Sequence, residues 1–424
     1  MKISIDEIKF IKELYPRFEL DNETVNAYRN AIDKLPPITI SRNKILIDGY
    51  HRLTAYRLEG RKEIEAKIFD SENEDEIFIE AIKANTKHGK QLSIKEKRNL
   101  AKDLYKKMVR LNGASKVKQQ DIANILSVSQ GTISHWLSDV IEKEKEAEAQ
   151  EILELYLNCY SQGEIAEKKG LSEATITNKL REAIFNFIKS YKIKDLVSNL
   201  QFYNVWRTFG LNEKQLKFPG QLPYDLVENI IYYFTDDPVI EPNLKLSKVV
   251  DPMAGSGVVR DVCRNLYRRY LLYDIEPKRE DIPIEKNDIL KGFPERARGA
   301  DLVFLDPPYY NLMDNDYPDN EFTESYESFK ESMGIVFDNC KEILKRNGKI
   351  ALILKPMNEK LFDGEWLDMS FDCANIAIKK GYKIIKRISA PLSTQQFNAS
   401  DVERAKKSKK LLNIHRDIII FEKI

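Results

Sequence analysis

A short apolar segment, residues 302–305, leads directly into Asp306-Pro307-Pro308-Tyr309. A fully apolar run of this length predicts a parallel strand that is buried on both faces. Two consecutive prolines cannot continue a ladder of hydrogen bonds, so the backbone must leave the sheet there. The sequence therefore predicts an acid and an aromatic ring at the carboxyl end of a strand, where ligands bind in open α/β sheets.

A glycine-rich loop follows a second short predicted strand, residues 248–250, whose last two residues are valines. Gly255 and Gly257 permit a tight turn and let backbone N–H groups approach a ligand, ahead of a helix predicted to begin near Val258. A simple connector between strand and helix has the same composition, so the loop alone is weak evidence. The loop residues predicted to contact a cofactor are Asp251, Pro252, Ala254, Gly255 and Gly257.

Together, Asp251-Pro-Met-Ala-Gly-Ser-Gly257 and Asp306-Pro-Pro-Tyr309 resemble the paired signature of S-adenosylmethionine-dependent amino-methyltransferases that act on DNA bases. The resemblance covers residues 201–424 and implies a Rossmann-like sheet with S-adenosyl-L-methionine as cofactor. Family members usually have Phe at the position of Met253, where Met can fill the same apolar space. They often have Thr where this chain has Val258.

The resemblance implies further cofactor residues. A helix over residues 217–231, which carries Phe218, resembles the cofactor-side segment of these enzymes, and a packing helix is the alternative. A second predicted strand ends in Asp274, an acid that can hold two ribose hydroxyls, with Glu276 as its substitute. Asp288 is the candidate for the adenine edge, and a turn acid explains it too. The order of helix, glycine loop and Asp-Pro-Pro-Tyr resembles the gamma-like arrangement.

The second motif also has a chemical rationale. The exocyclic amine of adenine or cytosine is a poor nucleophile because its lone pair is delocalised into the ring. Hydrogen bonds from the amine to the Asp306 carboxylate and the Pro307 carbonyl make the nitrogen more tetrahedral, so that its lone pair can face a methyl donor. Tyr309 offers a surface on which a flipped-out base can stack. The predicted catalytic residues are Asp306, Pro307, Pro308 and Tyr309; a polar turn with a core tyrosine is the structural alternative.

The choice of base stays open at this point. In the family, Asp rather than Ser before Pro-Pro-Tyr favours N6 of adenine over N4 of cytosine. Methylation at carbon 5 of cytosine resembles a different family that needs a Pro-Cys nucleophile, and none of the four cysteines follows a proline. Methylation of RNA is a further alternative. Another is a partition or transcription regulator whose methyltransferase domain only binds cofactor.

Composition limits the remaining possibilities. A chain of 424 residues with 42% hydrophobic composition suffices for roughly three domains. The net charge is +1, so affinity for nucleic acid must come from local patches. Widely spaced cysteines without a Cys-x-x-Cys pair predict a reducing compartment and no zinc or other metal site. No apolar run reaches membrane-spanning length, and we expect a cytoplasmic, DNA-associated protein.

Near the amino terminus, a predicted hairpin is followed by Gly49-Tyr50-His51-Arg52, which opens a helix. Basic residues at a helix start suit a phosphate group. The segment resembles the nucleotide-binding core of the ParB and sulfiredoxin superfamily. Sulfiredoxin has Cys where Tyr50 stands, so sulfinate repair is not expected. Gly49, His51 and Arg52 are the candidate phosphate or nucleotide residues; alternatively, Asp48 caps the helix and Arg52 is a surface charge.

A basic run, residues 87–118, leads into a helix-turn-helix pattern over residues 120–137. Ile122, Ala123 and Leu126 form an apolar stripe, and a following serine can cap a second helix. The candidate major-groove contacts are Gln130, Thr132, Ser134 and His135.

The same pattern recurs 43 residues later, over residues 161–180. Candidate contacts in this second copy are Gln162, Thr175, Thr177, Asn178 and Lys179. The acidic residues 141–150 between the copies predict a spacer helix. Each copy also fits a helical packing unit that makes no contact with DNA.

These patterns predict four domains in an α/β chain: a small α+β ParB-like domain (1–85), a helical domain with the first helix-turn-helix (86–145), the second helix-turn-helix (146–200) and a Rossmann-like methyltransferase domain (201–424). The expected partners are double-stranded DNA and a nucleotide at the amino-terminal domain, with a homodimer as one oligomeric state. No membrane partner is expected.

Overall fold

The computed structural model describes residues 1–15, 20–87, 93–113, 116–190, 200–207, 221–241, 243–308, 325–355, 357–358, 366–391 and 398–424. The chain divides into two compact units, Met1–Ala147 and Glu148–Ile424.

A four-stranded sheet forms one half of the first unit. Its strands are β1 (Lys2–Ser4), β2 (Ile38–Ser41), β3 (Leu46–Asp48) and β4 (Glu63–Phe69), in the order β1-β4-β2-β3. β2 is parallel to β4 and antiparallel to β3. Helices α1 (Asn22–Asn30) and α2 (Tyr50–Leu58) contact each other, and three short 3-10 helices span Ile5–Glu7, Lys12–Leu14 and Ile32–Lys34. Ile38, Ile40, Leu46 and Leu53 are buried in the core between sheet and helices.

The other half of the first unit is helical. It contains α3 (Glu74–Lys87), α4 (Ile94–Asn112), α5 (Gln119–Leu126) and the start of α6 (Gln130–Leu157), a helix that ends in the second unit. Ser93 and Glu96 form a capping box that begins α4. The apolar residues of these helices, among them Leu104, Ile122 and Ile133, share one core. The predicted spacer over residues 141–150 is therefore part of α6 itself.

The two helix pairs have the same local geometry at the predicted offset of 43 residues. The first pair is α5 with α6, and the second is α7 (Gln162–Lys169) with α8 (Glu173–Ser190). Ser127 and Gly170 both adopt left-handed backbone in the turn, at φ 53° and 62°. The hydroxyl of Ser129 accepts the amide of Thr132 at 3.1 Å, and the equivalent bond in the second pair is 3.2 Å long.

A seven-stranded sheet organises the second unit. Its strands are β5 (Lys248–Asp251), β6 (Arg269–Asp274), β7 (Ile284–Lys286), β8 (Ala300–Leu305), β9 (Leu344–Leu354), β12 (Tyr382–Pro391) and β13 (His415–Lys423), in the order β12-β13-β9-β8-β5-β6-β7. β5 to β9 run parallel, whereas β13 is antiparallel to both of its neighbours. β10 (Met357–Asn358) and β11 (Trp366–Leu367) pair separately.

Both faces of this sheet are covered, because alternate strand residues enter two different cores. Val249 packs on one face with α9 (Tyr224–Phe234) and α10 (Val258–Asn265). Val250 packs on the other face with α11 (Tyr326–Ile343) and α12 (Met369–Lys379). The remaining elements are α13 (Ala399–Lys407) and 3-10 helices at Ile289–Lys291 and Glu295–Ala297.

The second helix pair belongs to the second compact unit, together with the seven-stranded sheet, which differs from the four separate domains expected from sequence. Ile165, Ile176 and Ile184 lie in the same buried core as Val249 of the sheet. Glu154, near the end of α6, accepts a hydrogen bond of 2.7 Å from the hydroxyl of Tyr270 in β6. Shared apolar burial therefore makes residues 148–424 one unit.

Candidate active site

β5 is the topological switch point of the larger sheet, since β6 lies on one side of it and β8 on the other. The pairing of Val250 with Val303 sets β5 and β8 side by side and parallel. Asp251 is the last residue of β5, and Asp306 follows β8 directly. Two acidic strand ends therefore lie next to each other at the edge where ligands bind in open α/β sheets.

The glycine loop is held against the end of β6. The amide of Ala254 donates to the carbonyl oxygen of Tyr273 at 2.9 Å, and the amide of Gly255 donates to Oδ2 of Asp274 at 2.9 Å. The amide of Gly257 closes the turn on the carbonyl of Ala254 at 2.7 Å. The structure thus brings four of the predicted cofactor residues together at one edge.

Two glycines of this loop differ in what surrounds them. Gly257 has a φ of +77°, and a Cβ atom there would lie 2.2 Å from Cδ1 of Ile282. The side chain of Ile282, in the segment after β6, therefore packs directly against the backbone of the loop. Gly255 has a φ of +45°, and a Cβ there would meet nothing closer than the carbonyl of Met253 at 4.0 Å. Gly255 therefore has space beside it for a ligand.

Arg279 supports the loop from outside, and sequence reasoning missed it. Its Nη1 donates to the carbonyl oxygen of Ser256 at 2.7 Å, and its side chain is 15% exposed. Asp281 accepts from Arg279 and holds the guanidinium in place, and this pairing raises the pKa of Arg279. No sequence motif marks such a contact, because it joins residues 23 positions apart in two irregular loops.

Three carboxyl groups converge at this edge. Asp251 is buried, and burial raises the pKa of its side chain well above the usual range. The charges of Asp274 and Asp306 raise this pKa further, whereas the hydrogen bond of 3.1 Å from the amide of Met253 lowers it. The three carboxyl groups therefore lie close enough to repel one another, and a positively charged ligand would stabilise their charged forms.

The other predicted cofactor residues have different surroundings. Oδ1 of Asp288 caps the 3-10 helix Ile289–Lys291 by accepting the amide of Leu290 at 3.0 Å, which is the turn role left open by the sequence. Glu276 is exposed, and its amide donates to Asp274 at 3.0 Å. Pro252 is buried beneath the loop. Phe218 lies outside the described residues.

The predicted catalytic motif leaves the sheet at the expected place. β8 is buried on both faces from Leu302 to Leu305, which confirms the prediction of a doubly covered strand. Asp306 and Pro308 are half-buried and Pro307 is buried. Tyr309 lies outside the described residues.

The first helix pair presents three of its four candidate DNA contacts to solvent. Gln130, Ser134 and His135 are exposed, whereas Thr132 is half-buried. The hydroxyl of Thr132 lies 2.8 Å from that of Ser129, so this residue serves the helix cap.

The second helix pair uses most of its candidate contacts internally. The hydroxyl of Thr177 donates to Oε1 of Gln162 at 2.5 Å and to the carbonyl of Glu173 at 2.9 Å. Lys179 forms an ion pair of 2.6 Å with Glu148 of α6. Thr175 serves the helix cap, as Thr132 does in the first pair, and Asn178 is exposed. Sequence periodicity could not reveal these partners.

The alternative in which Asp48 caps α2 and Arg52 is a surface charge is wrong. Asp48 does not cap the helix, and Arg52 is mostly buried. The N-cap residue of α2 is Gly49, in left-handed backbone, without a side-chain cap. Arg52, 12% exposed, pairs with Asp48 at 2.7 Å and donates to the carbonyls of Pro36 and Pro37 at 3.0 Å. His51 accepts the amide of Asp21 at 3.1 Å. These side chains therefore hold the segments around α2 together.

Within the described ranges, no group of three or more His, Cys, Asp or Glu side chains is arranged to hold a metal ion. None of the helices in that part of the chain is long and apolar enough to span a membrane.

The chain is an α/β protein in which a glycine loop and acidic strand ends meet at the topological switch point of a mostly parallel sheet. A family model described as DNA methylase matches residues 72–285, which is half of the chain. The chain belongs to this family. The matched range includes the glycine loop and Asp274 and ends before Asp306.

The chain is also similar to parts of known proteins. It is 39% identical over 82 residues to a "Streptomycin biosynthesis operon possible regulatory protein" of Streptomyces griseus, a match that covers 19% of this chain and 23% of that relative. The chain spans about a quarter of the length of the curated relatives it matches.

Two solved structures show likeness at low identity. TrmN from Thermus thermophilus is 13% identical, with 49% of this chain and 50% of that chain covered and a TM-score of 0.31. The pNOB8-like ParB N-domain is 18% identical, with 32% and 63% covered and a TM-score of 0.26. These scores are too low to establish a shared fold.

Proposed function

We propose that this protein transfers the methyl group of S-adenosyl-L-methionine to the exocyclic amine of a base flipped out of double-stranded DNA, with N6 of adenine as the acceptor. The observation that carries the proposal is the meeting of the glycine loop and the Asp306 motif across the switch point of one sheet. Membership of the DNA methylase family supports it.

The cofactor is S-adenosyl-L-methionine, and its charges fit the residues present. Its sulfonium and ammonium groups would lower the repulsion among Asp251, Asp274 and Asp306. Asp274, at the end of β6, would hold the ribose hydroxyls, and Gly255 leaves room for close approach. Asp251, Pro252, Ala254, Gly257, Asp288 and Phe218 would complete the cofactor site.

Asp306 and its neighbours would prepare the acceptor amine. The carboxylate of Asp306 and the carbonyl of Pro307 accept its two N–H groups, which directs the nitrogen lone pair toward the cofactor side of the switch point. Pro308 turns the chain out of the sheet, and Tyr309 would stack on the extruded base. When bound, S-adenosyl-L-methionine supplies an electrophilic methyl group.

The first helix pair would supply contact with duplex DNA. Gln130, Ser134 and His135 are exposed at the start of α6, in the position of a recognition helix. Asn178 is the exposed candidate of the second pair. The engagement of Arg52 with Asp48 argues against a phosphate site built on that guanidinium.

Labelled methyl transfer tests this function. Purified full-length protein is incubated with labelled S-adenosyl-L-methionine and duplex DNA, and the product nucleosides are separated. We expect label on the adenine amine that falls at least about a hundredfold in Asp306→Ala and Asp306→Asn, with cofactor binding retained. The matched control is Asp338→Asn, a surface acid of α11 paired with Lys380. Label on the cytosine amine would keep the mechanism and change the base.

A DNA-bound regulator is the second candidate. Both curated relatives are named as regulators, and residues 1–147 form a compact unit of their own. Binding of DNA and cofactor without transfer to duplex DNA, single strands or RNA would favour this function over the enzyme.

A further inference from the structure

Two basic residues lie at the carboxyl edge of the sheet, on the side of β8 that is opposite to β5. Asp306 follows β8 directly, and Lys355 follows its parallel neighbour β9 directly. Because parallel strands end at the same edge, Asp306 and Lys355 both lie at the carboxyl edge. Lys355 is half-buried there.

A second cation comes from the antiparallel strand β13. Asp417 pairs with Leu354, the last residue of β9, so the preceding residue Arg416 lies beside Lys355. Burial lowers the pKa of Lys355, and the nearby charge of Arg416 lowers it further. Asp417 is itself buried and paired with Arg387 at 2.8 Å. Lys355 and Arg416, called here the edge cation pair, are therefore like charges held close together.

The edge is divided by charge on either side of Asp306. On the β5 and β6 side lie Asp251 and Asp274, which suit a cationic cofactor. On the β9 and β13 side lies the edge cation pair. The segment that leads into β13 also has exposed basic residues, Lys407, Lys409 and Lys410, whereas Lys406 is paired with Glu403 at 2.9 Å. Such a division favours opposite charges in the two halves of the site.

We propose that Lys355 and Arg416 bind phosphate groups of the DNA strand that carries the target base. This inference rests on the proposed function, since a nucleotide whose base reaches Asp306 brings its flanking phosphates to the surrounding protein surface. Cations at that surface would position the strand without reading its sequence.

The test uses full-length protein with Lys355→Gln, Arg416→Gln and the double variant. The matched control is Arg346→Gln, which removes a cation from the opposite end of β9. DNA affinity is measured over a range of salt concentrations, alongside methyl transfer and the affinity for S-adenosyl-L-methionine. The logarithm of the DNA association constant falls linearly with the logarithm of the salt concentration, and each lost phosphate contact reduces the steepness of this fall by about one.

We expect a shallower salt slope and a higher KM for DNA in both single variants, with cofactor affinity unchanged. Lys355→Arg and Arg416→Lys should keep the parent slope, which separates loss of charge from loss of fold. Slopes equal to that of the parent and of Arg346→Gln would overturn the inference even if methylation persists. If no variant, nor the parent, transfers methyl, the proposed function fails, and the slopes still decide whether the edge cation pair binds phosphate.

Discussion

Arg279 donates a hydrogen bond of 2.7 Å from Nη1 to the carbonyl oxygen of Ser256, inside the glycine loop. The Nε and Nη2 atoms of the same guanidinium donate to Asp281, which fixes the orientation of the group. A carbonyl that is held in this way fixes the peptide between Ser256 and Gly257, whose amide closes the turn on the carbonyl of Ala254 at 2.7 Å. Arg279 is therefore a positioning residue for that loop.

Replacement of Arg279 by Ala should weaken binding of S-adenosyl-L-methionine about tenfold, since a hydrogen bond to a charged group contributes about 1.5–3 kcal/mol. Transfer at saturating cofactor should change little, because Arg279 does not reach the reacting atoms. Calorimetric titration measures the affinity for S-adenosyl-L-methionine, and steady-state kinetics measure KM for the cofactor and kcat separately. Arg298→Ala, which removes an exposed partner of Glu295, is the control. Equal cofactor affinity in both variants would contradict a positioning role.

Gly257 should tolerate no side chain. Gly257→Ala combines a φ of +77° with a Cβ 2.2 Å from Ile282, so it should destabilise the protein by about 1–2 kcal/mol from backbone strain alone and abolish cofactor binding. Gly170 has a φ of +62° and open space around it, so Gly170→Ala is the control that has backbone strain without a steric clash. Thermal unfolding and cofactor titration compare the two. Retained cofactor binding in Gly257→Ala would show that the loop repacks.

Glu228 in α9 should make stability depend on pH. Burial, with a smaller contribution from the charge of Asp225, raises the pKa of Glu228 from its ordinary 4.5 to about 7. The folded state therefore holds a proton that the unfolded state has released between these values, so stability falls as pH rises from about 4.5 to about 7. Above pH 7 the whole cost of the buried charge is present.

Glu228→Gln removes this cost. We expect its unfolding midpoint at pH 8 to rise by about 2–4 °C, equivalent to about 1 kcal/mol after allowance for solvent screening of a half-buried group. At pH 4 the midpoint should match that of the parent. Glu331→Gln, an exposed glutamate of α11, is the control at both pH values. A rise of equal size at pH 4 would assign the effect to packing instead.

The two helix pairs should respond differently to substitution. His135→Ala removes an exposed side chain from the start of α6 and should weaken binding to specific DNA while leaving stability unchanged. Lys179→Gln breaks the ion pair of 2.6 Å with Glu148 and should lower stability more than DNA affinity. Unfolding curves and DNA titrations of both variants measure this. Weaker DNA binding in Lys179→Gln at unchanged stability would place the second pair on DNA.

Sequence patterns predicted the parts of the site that depend on local chemistry. Two apolar runs ending in Asp251 and Asp306 predicted two strands, and the structure confirms both as buried strands and shows that they are neighbours. Helix α10 begins at Val258, as the glycines before it predicted. The offset of 43 residues is also reproduced, down to the serine that accepts the amide of Thr132 and its counterpart in the second pair.

Contacts between segments distant in the chain could not be predicted from those patterns. Thr177 and Lys179 have the residue types of DNA contacts, yet Gln162 and Glu148 engage them. The link between Arg279 and Ser256 depends on how two loops fold back on each other. Periodicity reports which face of an element is apolar and does not report which neighbour covers that face.

The core that joins Ile184 of α8 to Val249 of the sheet limits how this protein can exchange parts with others. A recombination point near residue 200 would divide that core and remove the hydrogen bond that Tyr270 donates to Glu154. A point near Ala147 falls between the two compact units and leaves the larger core whole. Natural or engineered exchange of the amino-terminal unit among methylases should therefore favour breakpoints near Ala147 over breakpoints near residue 200, the domain boundary expected from sequence.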